Sequence, residues 1–132
     1  MQERQAKHRP MVVVIDDDEA MRHSLEWLIL SSGHAVLGYA SAQSYLDDTG
    51  RDGDPACVIL DVHMPEINGL ELYGILKDRH PDMAVIFITG YPDQALAEKA
   101  RSLDATRFFT KPLDTDAILA CIDAAIADAG AA

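Results

Sequence analysis

Several things are scarce in this sequence, and each scarcity narrows what it can do. Eleven Lys and Arg stand against 22 Asp and Glu, a formal net charge of −11, so direct binding of this chain to a nucleic-acid backbone is electrostatically opposed. The longest apolar runs, such as Ala84 to Ile88 and Cys57 to Leu60, fall far short of the roughly 20 residues that a membrane helix requires. Only two cysteines occur, Cys57 and Cys121, and no CxxC or Cys/His spacing accompanies them, so both read as small core residues. The first ten residues are polar and basic and carry no apolar segment of the kind found in a secretory signal, which makes the expected location cytoplasmic. The single tryptophan, Trp27, falls on a helical stretch where partial burial on the helix flank is expected.

What is present is a globular composition. With 48% hydrophobic and 25% charged residues over 132 positions, one domain can bury its own core. Residues 1–9 read as a disordered basic tail, and residues 10–130 as the domain. From Met11 onward, short β-branched or apolar runs alternate with longer stretches of helical spacing. The strands are expected at 11–15, 35–39, 56–60, 84–89 and 107–109. Helical repeats follow at Met21, Leu25 and Leu28, at Leu72, Ile75 and Leu76, at Leu96, Ala100 and Leu103, and at Ile118, Ile122 and Ile126. A shorter helix is expected from Ser41, a good N-cap, to about Leu46. The fold class is therefore α/β, a doubly wound (βα)5 domain with a five-stranded parallel sheet. In such sheets ligands sit outside the carboxyl ends of the strands.

Those carboxyl ends carry a distinctive set of residues. The first strand runs into Asp16, Asp17 and Asp18, the third ends at Asp61, the fourth ends at Thr89, and the fifth leads through Thr110 to Lys111 and Pro112. Taken singly, each has an ordinary structural explanation as a cap, a strand end or a loop. Taken together, carboxylates from separate segments converging on one rim repel one another unless a cation neutralises them or one stays protonated. Hard oxygen donors without clustered His or Cys favour Mg²⁺, with Lys111 as a point charge for a substrate phosphate.

With these motifs in hand, Val14-Ile15-Asp16-Asp17, Ile59-Leu60-Asp61-Val62-His63-Met64-Pro65 followed by Asn68-Gly69, Ile88-Thr89-Gly90 and Phe109-Thr110-Lys111-Pro112, the chain resembles the receiver domain of two-component response regulators. Asp18-Glu19, Arg22 to Leu25 and Thr89-Gly90-Tyr91 place it nearest the receivers of FixJ-like regulators. The resemblance implies a flavodoxin-like sheet in the order 2-1-3-4-5. It implies that Asp61 is the phosphoacceptor, that Asp17 and Asp61 ligate Mg²⁺ with Asp16 reaching it through water, and that the backbone carbonyl of His63 adds an oxygen while its imidazole stays outside. It further implies that Lys111 pairs with the phosphoryl group, that the Lys111–Pro112 bond is cis, and that Thr89 and Phe108 form a switch reshaping the face of the fourth helix, fifth strand and fifth helix. The implied partner is a sensor histidine kinase or phosphotransfer protein, with homodimerisation on phosphorylation.

The resemblance describes a phosphoacceptor signalling domain with self-catalysed transfer and dephosphorylation, not a turnover enzyme. Two alternatives on the same fold are disfavoured. A flavin site wants a Ser/Thr/Gly-rich loop where this chain has carboxylates, and an aspartyl phosphatase usually shows Asp-x-Asp where this chain has Asp61-Val62-His63. A free-standing relay receiver and the front piece of a transcription regulator both remain open. Asp104 stands where the family usually closes the fourth helix with Gly, which puts the geometry of the output face in question.

Overall fold

The computed structural model describes residues 10–48, 55–64, 68–80, 83–90, 98 and 107–131. Five strands, β1 (Met11–Ile15), β2 (Ala35–Tyr39), β3 (Cys57–Asp61), β4 (Ala84–Thr89) and β5 (Arg107–Thr110), form one parallel sheet in the order β2-β1-β3-β4-β5. Helices α1 (Glu19–Ser31), α2 (Ala42–Asp47) and α3 (Gly69–Arg79) alternate with the first strands, and a C-terminal helix spans Thr115–Ala131. The expected tail at residues 1–9, most of the expected helix around Leu96 to Leu103, and Asp104 lie outside the described residues.

The period-two alternation of each strand divides the core between the two sheet faces. Val13, Ile15, Val58, Leu60, Val85 and Phe87 pack on one side with Tyr45 of α2 and Leu72, Tyr73 and Leu76 of α3. Val12, Val14, Ile59, Ile86 and Ile88 pack on the other with Leu25 and Ile29 of α1 and with Ile118 and Ile122 of the C-terminal helix. Most of these side chains are fully buried, at roughly 1.5–3 kcal/mol each relative to exposure. Central strands buried on both faces explain why β1, β3 and β4 read as continuous apolar runs.

The helix starts are fixed by side chains that accept from orphan backbone amides. Asp18 Oδ1 accepts from the N–H groups of Ala20 and Met21 at the start of α1, Ser41 caps α2, and Asn68 with Glu71 forms a reciprocal capping box at α3. These caps set where each chain segment leaves the carboxyl rim of the sheet. Gly69 has a further role, because a Cβ there would lie 2.6 Å from the carbonyl oxygen of Asp61 and 2.9 Å from Cα of Val62. Only a residue without a side chain lets α3 begin so close to the end of β3.

Three expectations need correction. β3 begins at Cys57 and includes Asp61, and β5 extends to Thr110, because backbone pairing of Asp61 with Ile88 and of Thr89 with Thr110 carries the ladder past the last apolar residue. Trp27 is 73% exposed and is not partly buried. Two residues beyond the buried Leu25, about 200° of helical rotation turn it away from the sheet.

Candidate functional site

The rim is assembled by strand ends that the sheet order brings side by side. β1 and β3 are neighbours, with Ile15 in register with Leu60, so Asp16 and Asp61 leave adjacent strands at the same level. Among the described residues, carboxylate oxygens of Asp16, Asp17 and Asp61 lie within 4.8 Å of one another. Asp16 and Asp61 are buried, whereas Asp17 is exposed. Three acids so arranged form a half-open pocket of hard oxygen donors facing solvent through Asp17.

The loop holding Asp16 is tied down on every side. Its N–H donates to the carbonyl of Tyr39 on β2 at 3.1 Å, its Oδ1 accepts from the N–H of Asp18 at 2.9 Å, and its carbonyl accepts from Nη1 of Arg22 at 2.9 Å. Asp61 is placed by the end of β3, and its Oδ1 accepts from the N–H of His63 at 3.0 Å. The chain after it is pinned by the N–H of Val62 donating to the carbonyl of Ile88 and the N–H of Gly69 donating to the carbonyl of Val62.

Lys111 arrives from the end of β5. Its N–H donates to the carbonyl of Thr89 at 2.8 Å, the Lys111–Pro112 bond is cis as expected, and its Nζ stands 3.4 Å from Asp16 Oδ2 and 3.7 Å from Asp61 Oδ2. Thr89 is buried at the end of β4, beside these groups. A Cβ on Gly90 would come within 3.3 Å of Lys111 Cδ, so the small residue after Thr89 leaves a channel for the lysine stem.

One cation cannot offset this concentration of negative charge. Burial and the neighbouring charge of Asp16 push the Asp61 carboxyl up to about 7, aided by a hydrogen bond with Asp16, while the His63 amide and Lys111 pull the other way. A buried carboxyl held near neutrality, two further acids within reach and only oxygen donors fit a divalent hard cation such as Mg²⁺.

Sequence reasoning named Asp16, Asp17, Asp61, Thr89 and Lys111, and all five lie at this rim. His63 lies beside it through its N–H contact with Asp61. Phe108 is half-buried against the cluster containing Phe87 and Tyr73, one strand position before Phe109, which faces the opposite cluster. Sequence reasoning did not assign Arg22 to the Asp16 loop or identify the close approach at Gly69. Asn68-Gly69 entered the sequence reading only as part of the family motif, which shows neither the helix start at Gly69 nor its nearness to the Asp61 backbone.

Comparison with known proteins agrees with this geometry. The model of the response regulator receiver domain matches residues 12–123. The transcriptional regulatory protein FixJ of Azorhizobium caulinodans is 47% identical over 115 residues, covering 87% of this chain and 54% of FixJ. The response regulator protein TodT of Pseudomonas putida is 38% identical over 116 residues, covering 88% of this chain and 51% of TodT. The chain thus spans about half the length of these curated relatives. The crystal structure of a response regulator receiver domain protein from Clostridium thermocellum superposes with a TM-score of 0.79 at 26% identity, covering 92% of this chain and 97% of the other.

Proposed function

Because the chain belongs to the response regulator receiver family, we propose that it takes a phosphoryl group onto Asp61 from the phosphohistidine of a sensor histidine kinase or phosphotransfer protein. The observation that carries this reading is the buried Asp61 carboxyl, with Asp16, Asp17 and Lys111 gathered around it. A carboxylate oxygen of Asp61 attacks phosphorus, the phosphorus–nitrogen bond breaks, and the bonding pair returns to the imidazole of the donor. The product is an acyl phosphate, and no general base is required because the nucleophile is already an anion when deprotonated.

Asp16, Asp17, Asp61 and the carbonyl of His63 are the residues that would hold Mg²⁺. Bound there, the ion would neutralise the acids and the charge spreading over the phosphoryl oxygens. The chain's own contribution is positional. The His63 N–H and the backbone contacts after Asp61 aim the buried carboxylate. Lys111 offers its ammonium to a phosphoryl oxygen, and the hydroxyl of Thr89 can donate to a phosphoryl oxygen, a contact that exists only in the phosphorylated state.

That difference supplies the switch. Thr89 ends β4 and Phe108 sits across from Phe87 on β5, so movement of one toward the phosphate and of the other into the space released would reshape the face built on β5. Homodimerisation through the helix expected around Leu96 to Leu103, β5 and the C-terminal helix is the proposed consequence, with transcription control as the output of a longer protein resembling FixJ. A shift from 1:99 to 99:1 would require about 5.5 kcal/mol, and two or three charge-assisted contacts at roughly 1.5–3 kcal/mol each reach that only at their upper end, so the shift is completed when a partner also selects the active state. The module is a cytoplasmic signalling domain and not a turnover enzyme. Transfer of labelled phosphoryl from acetyl phosphate to the chain, abolished by chelating divalent cations, tests the reading; absence of transfer would overturn it.

A further inference from the structure

We propose that Arg22 is a positioning residue for the cation site, holding the peptide between Asp16 and Asp17, and that the bare backbone of Gly38 makes room for it. The inference rests on the reading of Asp16, Asp17 and Asp61 as a divalent-cation site. It begins on the flank of α1 that faces the edge strand β2, where Arg22 and Glu26 are one helical turn apart. A Cβ on Gly38 would run into the carboxylate of Glu26 and come within 3.3 Å of Arg22 Cδ. Both side chains therefore cross the strand where it has no side chain of its own. From there Nη1 of Arg22 reaches the carbonyl of Asp16 at 2.9 Å.

That carbonyl belongs to the peptide joining the two acids of the loop. The N–H of Asp16 is held by Tyr39 and its carboxylate by the Asp18 amide and Lys111, while Arg22 holds the carbonyl of the peptide that turns toward the exposed Asp17. Two effects of opposite sign compete. A permanent positive charge disfavours a bound cation, whereas a fixed peptide favours it by removing freedom from the loop. Arg22 lies inside the screening length of about 10 Å at 0.1 M ionic strength, so its repulsion of the ion persists and offsets part of the orienting gain. Loss of a group that orients metal ligands typically weakens affinity by roughly 10- to 100-fold, so orientation outweighs repulsion.

The test is Mg²⁺ affinity, followed by amide NMR shifts of the full chain at constant ionic strength, with hydrogen exchange of the Asp18 amide measured in the metal-free protein. Arg22→Met keeps the apolar stem and drops both donor and charge. Arg22→Lys restores a donor and a charge. Gly38→Val crowds the arginine stem from the strand. The account expects Arg22→Met to bind Mg²⁺ about tenfold more weakly or worse and to exchange the Asp18 amide faster. Arg22→Lys should recover part of both, and Gly38→Val should weaken binding in the parent chain but add nothing in the Arg22→Met background. Unchanged or tighter binding in Arg22→Met, or an equal Gly38→Val effect in both backgrounds, would overturn the inference while leaving the cation site standing. A parent chain that binds no Mg²⁺ would overturn both.

Discussion

The ammonium of Lys111 stands 3.7 Å from Asp61 Oδ2 and still does not bring that carboxyl down to the ordinary carboxylate range, because burial and the charge of Asp16 outweigh it. The site is thus under electrostatic stress when no cation is bound, and its stability depends on pH in a definite direction.

Asp61 is raised from 3.8 to about 7, so between those values the folded chain holds a proton that the unfolded chain has released. The stability associated with that proton is fully present below about pH 4 and is lost as pH rises through about 7, a change on the order of a few kcal/mol. Asp61→Asn should therefore melt higher than the parent at pH 8 in the absence of divalent cations, and the gap should shrink by pH 5. Melting curves at the two pH values measure it; an equal gap at both would refute the linkage.

Mg²⁺ should raise the melting temperature of the parent by mass action, since only the folded chain gathers the three acids, with about 2.7 kcal/mol gained at 100 times the dissociation constant. Asp17→Asn should lose most of this response while keeping its fold, because Asp17 is exposed. Equal Mg²⁺ shifts in parent and variant would remove Asp17 from the ligand set.

Lys111→Ala should slow phosphoryl uptake by roughly 10²-fold, the usual cost of losing one group aimed at developing charge. It should also destabilise the metal-free protein more at pH 8 than at pH 5, since only above neutrality are both buried acids left without their counter-charge. Uptake rates from a small phosphodonor and paired melts check the two halves separately.

Gly69→Ala should disturb the site through the backbone. A Cβ there meets main-chain atoms of Asp61 and Val62 that cannot rotate aside, so a loss of about 1–3 kcal/mol is expected, together with slower phosphoryl uptake. Gly74→Ala on the same helix has open space around it and should stabilise slightly by its better helix propensity. Denaturant unfolding of the pair gives the comparison.

Much of this was legible in the sequence for physical reasons. A sheet covered on both faces demands unbroken apolar strands, and 11–15, 57–60 and 84–88 supply them. The polar residues that end those runs, Asp16, Asp61 and Thr89, then had to lie on one rim, with Lys111 beyond the last strand. What pattern could not show depends on contacts across the fold. Asp61 belongs to β3 because its backbone pairs with Ile88, a matter of hydrogen bonding that its side chain does not announce. Arg22 reads as one more charged residue on a helix flank until β2 brings Gly38 beneath it. Trp27 shows the opposite failure: partial burial on the helix flank was expected, while its position on the helix places it in solvent. Phe108 and Phe109 are adjacent and alike in sequence, and only the pleat of β5 sends them to different sides of the sheet.

The most direct test of the account is the intact mass of the parent chain and of Asp61→Asn after incubation with acetyl phosphate and Mg²⁺. The account predicts one phosphoryl group on the parent, labile as an acyl phosphate is, and none on Asp61→Asn. A parent chain that gains no phosphoryl group, or an Asp61→Asn chain that gains one as readily, would contradict it.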